Sequence, residues 1–388
     1  MKKILLFGCL LPIVLLVGYA VGLFTMAKDI PPTTWVRDAY KAWFWDAWDR
    51  LYPDYEAVNP EALRTNVRTI VQISSAADVA RKRTGLVNFV WAETQHHLAA
   101  LLPSEINTNA SARFLAPIQS LSRITKFKVE LDYGLSSTGY LLRPKQTNGE
   151  LVVLQEGHYG RFPDCKACMH ENWENLVERL LSAGYTVGIL WLPWMGPNGD
   201  IAKLPWVNTR LGVFQLTNFG RIKYLTSPTF TSLKILLDPI YATINYVTRE
   251  EDYSCIHMIG ISFGATITSL YAAIDDRICK SYAVDGHPPV YVGVHHPGHE
   301  ASFEDDYHLR EIANTLELYV MAGYGRDRRH VQILNRYWTG SWMDAYRADL
   351  EQVANSLGEG GYKGVFDESD RHWISDRMIE FIERDMAN

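Results

Sequence analysis

Three short apolar runs limit what this chain can fold into: "ELVVLQEG", "YTVGILWLP" and "YSCIHMIGIS". None alternates apolar with polar residues, so each reads as a strand covered on both faces rather than one open to water. Between the first two lies "ENWENLVERLLSAG", a helical pattern closed by Gly184. Strands that alternate with helices imply a mostly parallel sheet flanked by helices, an α/β architecture with its functional loops at the carboxyl ends of the strands. "RICKSYAVDG" and "LELYVMAG" read as a fourth and a fifth strand of this series. Ahead of it, "KFKVELDYG" and "STGYLLRPK" alternate as a hairpin.

With 388 residues, 47% of them hydrophobic and 12% aromatic, the chain can fill a large core. The boundaries read as a membrane anchor or signal peptide at 1–27, an N-terminal helical extension at 28–122, and an α/β domain at 123–388 with a cap-like insertion at about 193–250. Residues Ile4 to Ala27 carry no charge and are mostly apolar, long enough as a helix to cross a bilayer core of about 30 Å. A cleaved signal peptide usually has a shorter apolar core, so an uncleaved anchor is expected. Lys2 and Lys3 would stay cytoplasmic and the domain would lie outside, in the periplasm of a Gram-negative cell; cleavage at Gly18-Tyr19-Ala20 would make it secreted.

Net charge is -6, with 38 basic against 44 acidic residues. That balance argues against a nucleic-acid partner, which needs a basic face. Five cysteines suit an oxidising compartment, with one or two disulfides expected among Cys165, Cys168, Cys255 and Cys279. His295, His296 and His299 read as a solvated loop, and no metal or other cofactor is expected.

The third apolar run ends in Gly260-Ile261-Ser262-Phe263-Gly264 and is followed by the helical "ATITSLYAAIDD". In G-x-S-x-G the glycines permit the close backbone approaches of a sharp strand-to-helix turn, which presents the serine hydroxyl above the sheet. Ser262 is thereby the candidate nucleophile. "GISFGATITSLYAAIDDRI", then "SYAVDG", then "LELYVMAG", then a histidine near the end of the chain, resembles the α/β-hydrolase superfamily, in its bacterial esterase branch of dienelactone-hydrolase-like and acetylxylan-esterase-like proteins. The resemblance covers roughly residues 125 to 388 and implies the chain order serine, acid, histidine.

On that order His372, in "FDESDRHW", is the expected general base. Asp327, the first carboxylate after "LELYVMAG", is the expected acid, with Asp285, Asp305, Asp306, Asp367 and Asp370 as alternatives. The resemblance also implies an oxyanion hole from the backbone N–H of Phe263 and a second donor at Tyr159 or Gly160, in the loop "EGHYGRF". His158 either contacts substrate or braces that loop. Trp194, among the aromatic residues of the insertion, is expected to line the substrate pocket.

These residues point to a membrane-anchored serine hydrolase of carboxylic esters, and the resemblance implies a short acyl or acetyl ester on a small molecule or glycan. An acyltransferase using the same serine, or a non-catalytic binding protein on the same fold, are the alternatives. Oligomeric state is not written in the sequence.

Overall fold

Strand β4 (Glu150–Gln155) explains the architecture, because its residues alternate between two separate cores. Leu151 and Val153 join the larger cluster with Leu141, Met258 and the helix Leu233–Glu250. Val152 and Leu154 join the other, with Leu142, Ile259, Ile261 and the helix Trp173–Ser182. A strand apolar at every position is thus one whose two faces are both covered.

The computed structural model describes residues 61–91, 95–111, 118–158, 169–170, 172–292, 306–339 and 342–388. The 1–27 segment, and with it the expected membrane anchor, lies outside these residues, as do Cys9, Cys165, Cys168, His295, His296 and His299. Among the described residues no helix is long and apolar enough to cross a membrane, and no cluster of three or more potential metal ligands occurs.

The other strands are β1 (Glu105–Asn107), β2 (Leu121–Glu130), β3 (Ser136–Pro144), β5 (Thr186–Leu190), β8 (Cys255–Ile261), β9 (Ile278–Val284), β10 (Arg329–Asn335) and β11 (Gly361–Asp367). Strands β6 (Trp206–Thr209) and β7 (Gly212–Gln215) form a separate two-stranded ribbon. The nine-stranded sheet runs β1-β2-β3-β5-β4-β8-β9-β10-β11. From β5 to β11 every neighbouring pair is parallel, while β1, β2 and β3 join antiparallel. After β4 the chain steps outward to β5, then returns to the other side of β4 as β8. That reversal opens a crevice beyond the carboxyl ends of β4 and β8, where open α/β sheets bind ligands.

One expected strand is a helix. "LELYVMAG" forms the helix Thr315–Gly323, started by a capping box in which Asn314 and Glu317 each accept from the other's backbone N–H. A short apolar run does not by itself distinguish a buried strand from a buried helix. The strand of this unit lies farther on, at β10, which moves every loop assigned by counting from "LELYVMAG".

The N-terminal extension also differs from its all-helical reading. Its helix Ala76–Trp91 buries Leu86, Val90 and Trp91 in the larger core. Lys82 reaches Glu317 at 3.0 Å, and Arg83 donates to the Ala273 and Met321 carbonyls. Farther along, β1 adds an edge strand to the sheet. Within the insertion after β5, Leu233–Glu250 is a helix whose apolar residues belong to the larger core. Cys255 and Cys279, at the starts of the neighbouring strands β8 and β9, form a disulfide with Cα atoms 5.9 Å apart.

Candidate active site

Between β8 and the helix Phe263–Ile274 the chain reverses within one residue. Ser262 makes the turn at φ 58°, ψ -131°, a conformation that L-residues rarely adopt and that structures retain mainly where it serves a site. Its backbone N–H donates to the Val284 carbonyl at 2.9 Å, which locks the turn to β9. The flanking glycines are required by contact. A Cβ on Gly260 would lie 2.2 Å from the Gly264 carbonyl oxygen, and one on Gly264 would lie 2.2 Å from that of Gln155. The helix therefore starts hard against the ends of β8 and β4.

Gly157, two residues beyond β4, closes the crevice from the other side. A Cβ there would meet the Ser262 Cβ at 2.7 Å and the Phe263 nitrogen at 3.3 Å. Glycine thus lets the loop after β4 approach both the serine and the first N–H of the helix, whose opening N–H groups have no intrahelical acceptor. The backbone nitrogen of Phe263, the first expected oxyanion donor, therefore lies against the loop after β4. Tyr159 and Gly160, the candidates for the second donor, lie outside the described residues. His158 is exposed, with its ring centroid 4.9 Å from that of Phe263. The Phe263 side chain is fully buried and also meets Phe219 of the insertion and His287 after β9.

His372 stands in the loop between β11 and the C-terminal helix Asp376–Met386, and its Nδ1 lies 3.0 Å from Oδ2 of Asp285. The Nδ1 contact with this carboxylate fixes the orientation of the imidazole ring. Asp285 is the first residue after β9, at φ 51° and 3% exposed. The carboxylate that meets His372 is thus Asp285 and not the expected Asp327. Asp327 lies exposed in the turn that enters β10, at the amino end of the strand, and seven residues of extended chain set it about 20 Å from the carboxyl edge. The reason is the misread strand: the carboxylate following "LELYVMAG" follows a helix, so it falls on the wrong edge of the sheet.

Among the alternatives, Asp306 caps the helix Tyr307–Ile312, Asp370 is exposed, Asp367 is buried at the end of β11, and Asp305 lies outside the described residues. Trp194 is 1% exposed and packed in the larger core, so it offers no ring face to a substrate, contrary to expectation.

Asn335, the last residue of β10, joins the acid to the histidine loop and is not singled out by the sequence. Its backbone N–H donates to Asp285 Oδ1 at 2.8 Å, and its Nδ2 lies 2.7 Å from Asp285 Oδ2. The same Nδ2 is 2.7 Å from the Arg371 carbonyl and 2.8 Å from that of Trp373, the two residues flanking His372. We expect Asn335→Ala to lower kcat by roughly 10–100-fold, the value of donors to a buried carboxylate. Asn335→Asp, although equal in size, should cost more, because it sets a carboxylate against a carboxylate and two carbonyls. Steady-state kinetics with thermal midpoints as a folding control would check both, and an aspartate variant more active than the alanine variant would contradict the clamp.

No protein-family model matches the chain, and no curated protein matches it. Solved structures do. The methylesterase BT1017 superposes with a TM-score of 0.55 at 15% identity, over 86% of this chain and 68% of that one. Acetyl xylan esterase 1 from Thermoanaerobacterium sp. JW/SL YS485 gives 0.52 at 11% identity, over 84% and 98% of the two chains. The acetyl xylan esterase from Paenibacillus sp. R4 gives 0.51 at 15% identity, over 78% and 94%. Identities this low speak to fold, and together with the parallel sheet, its reversal at β4 and the strained serine turn they make this chain an α/β-hydrolase fold.

Proposed function

We propose that this protein is a serine hydrolase of carboxylic esters, with Ser262 as nucleophile, His372 as general base and Asp285 as the acid that orients it. The observation that carries the reading is the strained Ser262 turn, whose N–H is bonded to the Val284 carbonyl, together with the buried carboxylate of the next residue, Asp285, which pins His372 Nδ1. In the reaction Ser262 Oγ attacks the acyl carbon as its proton passes to His372 Nε2. The oxyanion is stabilised by the Phe263 N–H and a donor from the loop after Gly157. Collapse breaks the bond to the alcohol, which leaves with the proton from the imidazolium, and water then repeats the sequence to free the acid and restore the serine.

A short acyl or acetyl ester, on a small molecule or a glycan, is the favoured substrate. Two of the similar structures are acetyl xylan esterases, which supports that choice. The test is intact-mass labelling with a fluorophosphonate. One adduct on the wild type, absent from Ser262→Ala and His372→Ala, is expected; a folded wild type without an adduct would sink the assignment.

We further propose that the uncharged run Ile4 to Ala27 holds the enzyme in a membrane with the domain outside the cytoplasm. Full-length protein should stay in the membrane pellet through an alkaline carbonate wash and keep its full mass; a soluble, shortened product would show cleavage instead.

A further inference from the structure

A second carboxylate–histidine pair stands beside the first. Glu156, between β4 and Gly157, is fully buried, and both its carboxylate oxygens are engaged by one residue. Oε1 accepts from the His170 backbone N–H at 3.1 Å, and Oε2 lies 2.5 Å from His170 Nδ1. The His170 ring, 5% exposed, meets the His372 ring edge to face, with centroids 5.4 Å apart and planes at 77°. The chain around both histidines is tied together: Asn172 Nδ2 donates to the Ile374 carbonyl and to Asp376, which also accepts from Asn175.

Such an arrangement is costly unless it has a use, because a buried carboxylate needs compensation. Holding the 169–175 segment would need only the backbone N–H contact. The second contact turns a ring toward His372 and places the carboxylate behind that ring.

We propose that Glu156 and His170 are positioning residues for His372: the pair braces the His372 ring and stabilises the imidazolium formed during acyl transfer. This rests on the reading of Ser262, His372 and Asp285 as the catalytic groups. A cation forms on His372 each time Ser262 is deprotonated. A carboxylate bonded to the ring that packs on His372 places negative charge near that cation and lowers its energy. Asp285 does the same from the β9 side.

The other charged groups on the surrounding segments have their own settings. Asp376 accepts from two asparagines, Arg336 pairs with Glu368 at 3.2 Å, and the Arg371 guanidinium lies 5.2 Å from the centre of the Trp373 ring. Asp370 is exposed, and Asp367 is buried at the end of β11. The His158 and His287 rings pack on the Phe263 ring.

The experiment compares full-length wild type, Glu156→Gln and Glu156→Asp in detergent, by fluorophosphonate labelling and by the pH dependence of aryl acetate hydrolysis. With the charge removed, kcat should fall roughly tenfold while KM stays within about twofold, the loss expected for one charge acting across a ring. The imidazolium becomes harder to form, so the acid limb of the kcat/KM profile should move to lower pH. Glu156→Asp keeps the charge one methylene farther back; its acid limb should match the wild type and its kcat should lie between the other two. This variant carries the test if the glutamine form does not fold.

Wild-type labelling with an unchanged kcat in Glu156→Gln, or a reduced kcat with an unmoved acid limb, would overturn the proposal and leave the triad standing. An acid limb that moves in Glu156→Asp would overturn it as well. Failure of the wild type to label would overturn the triad reading itself.

Discussion

Replacing Ser262 with alanine should lower kcat for an aryl acetate by about a million-fold, the loss typical when a serine hydrolase is deprived of its nucleophile. The size of the effect follows from what remains. The oxyanion donors and the bound ester stay in place, but water must attack without a positioned oxygen, so only the residual catalysis of binding and charge stabilisation survives. The turn adds an independent check. At φ 58° any side chain is strained, so Ser262→Ala should leave stability close to wild type. Ser262→Gly should raise it by about 1 kcal/mol by releasing that strain. Activity and stability would then move in opposite directions at one position, as expected where a backbone conformation is kept for chemistry. Equal stability of the serine and glycine forms in chemical denaturation would remove the strain from the argument.

The second large effect separates two aspartates. Asp285→Asn should lower kcat roughly ten-thousand-fold, because an amide turned to accept from Asn335 offers its N–H to the imidazole and favours the wrong tautomer. Both donors of the Asn335 clamp point at this carboxylate, so the substitution also loosens the loop that carries His372. Asp327→Asn should leave kcat within about twofold of wild type, since that residue is exposed at the amino edge of β10. The comparison needs only steady-state kinetics on two single variants. A severe loss at Asp327 with little at Asp285 would reverse the assignment.

Several parts of the site are local in origin, which is why they can be read from the chain. The Ser262 turn depends on five consecutive residues and the strand before them, and a G-x-S-x-G between a buried strand and a small-residue helix leaves the serine few other roles. His372 is legible because the loop that holds it follows the last strand and precedes a strongly amphipathic helix. The acid was open among six aspartates, because choosing among them requires knowing where each strand ends. One apolar run of eight residues, "LELYVMAG", fits a strand and a helix equally well by composition. Its capping residues Asn314 and Glu317 were the available signal, three residues apart at its start.

Asn335, Glu156 and His170 were not legible at all. Asn335 acts on Asp285, 50 residues away in sequence, and on the loop 36 to 38 residues away. Glu156 and His170 are 14 residues apart, and neither belongs to a motif. Trp194 shows the converse error: an aromatic residue in an insertion suggests a pocket, yet only packing decides whether its face is open or covered.

The sequence by itself determined the sheet-and-helix alternation, the strained serine and the histidine that follows the last strand, because hydrophobic period and glycine placement act over a few residues. Tertiary structure alone decided which aspartate meets that histidine, what holds the two together and which second histidine stands beside them. Those contacts depend on the order and register of parallel strands, which bring together residues that no local pattern links.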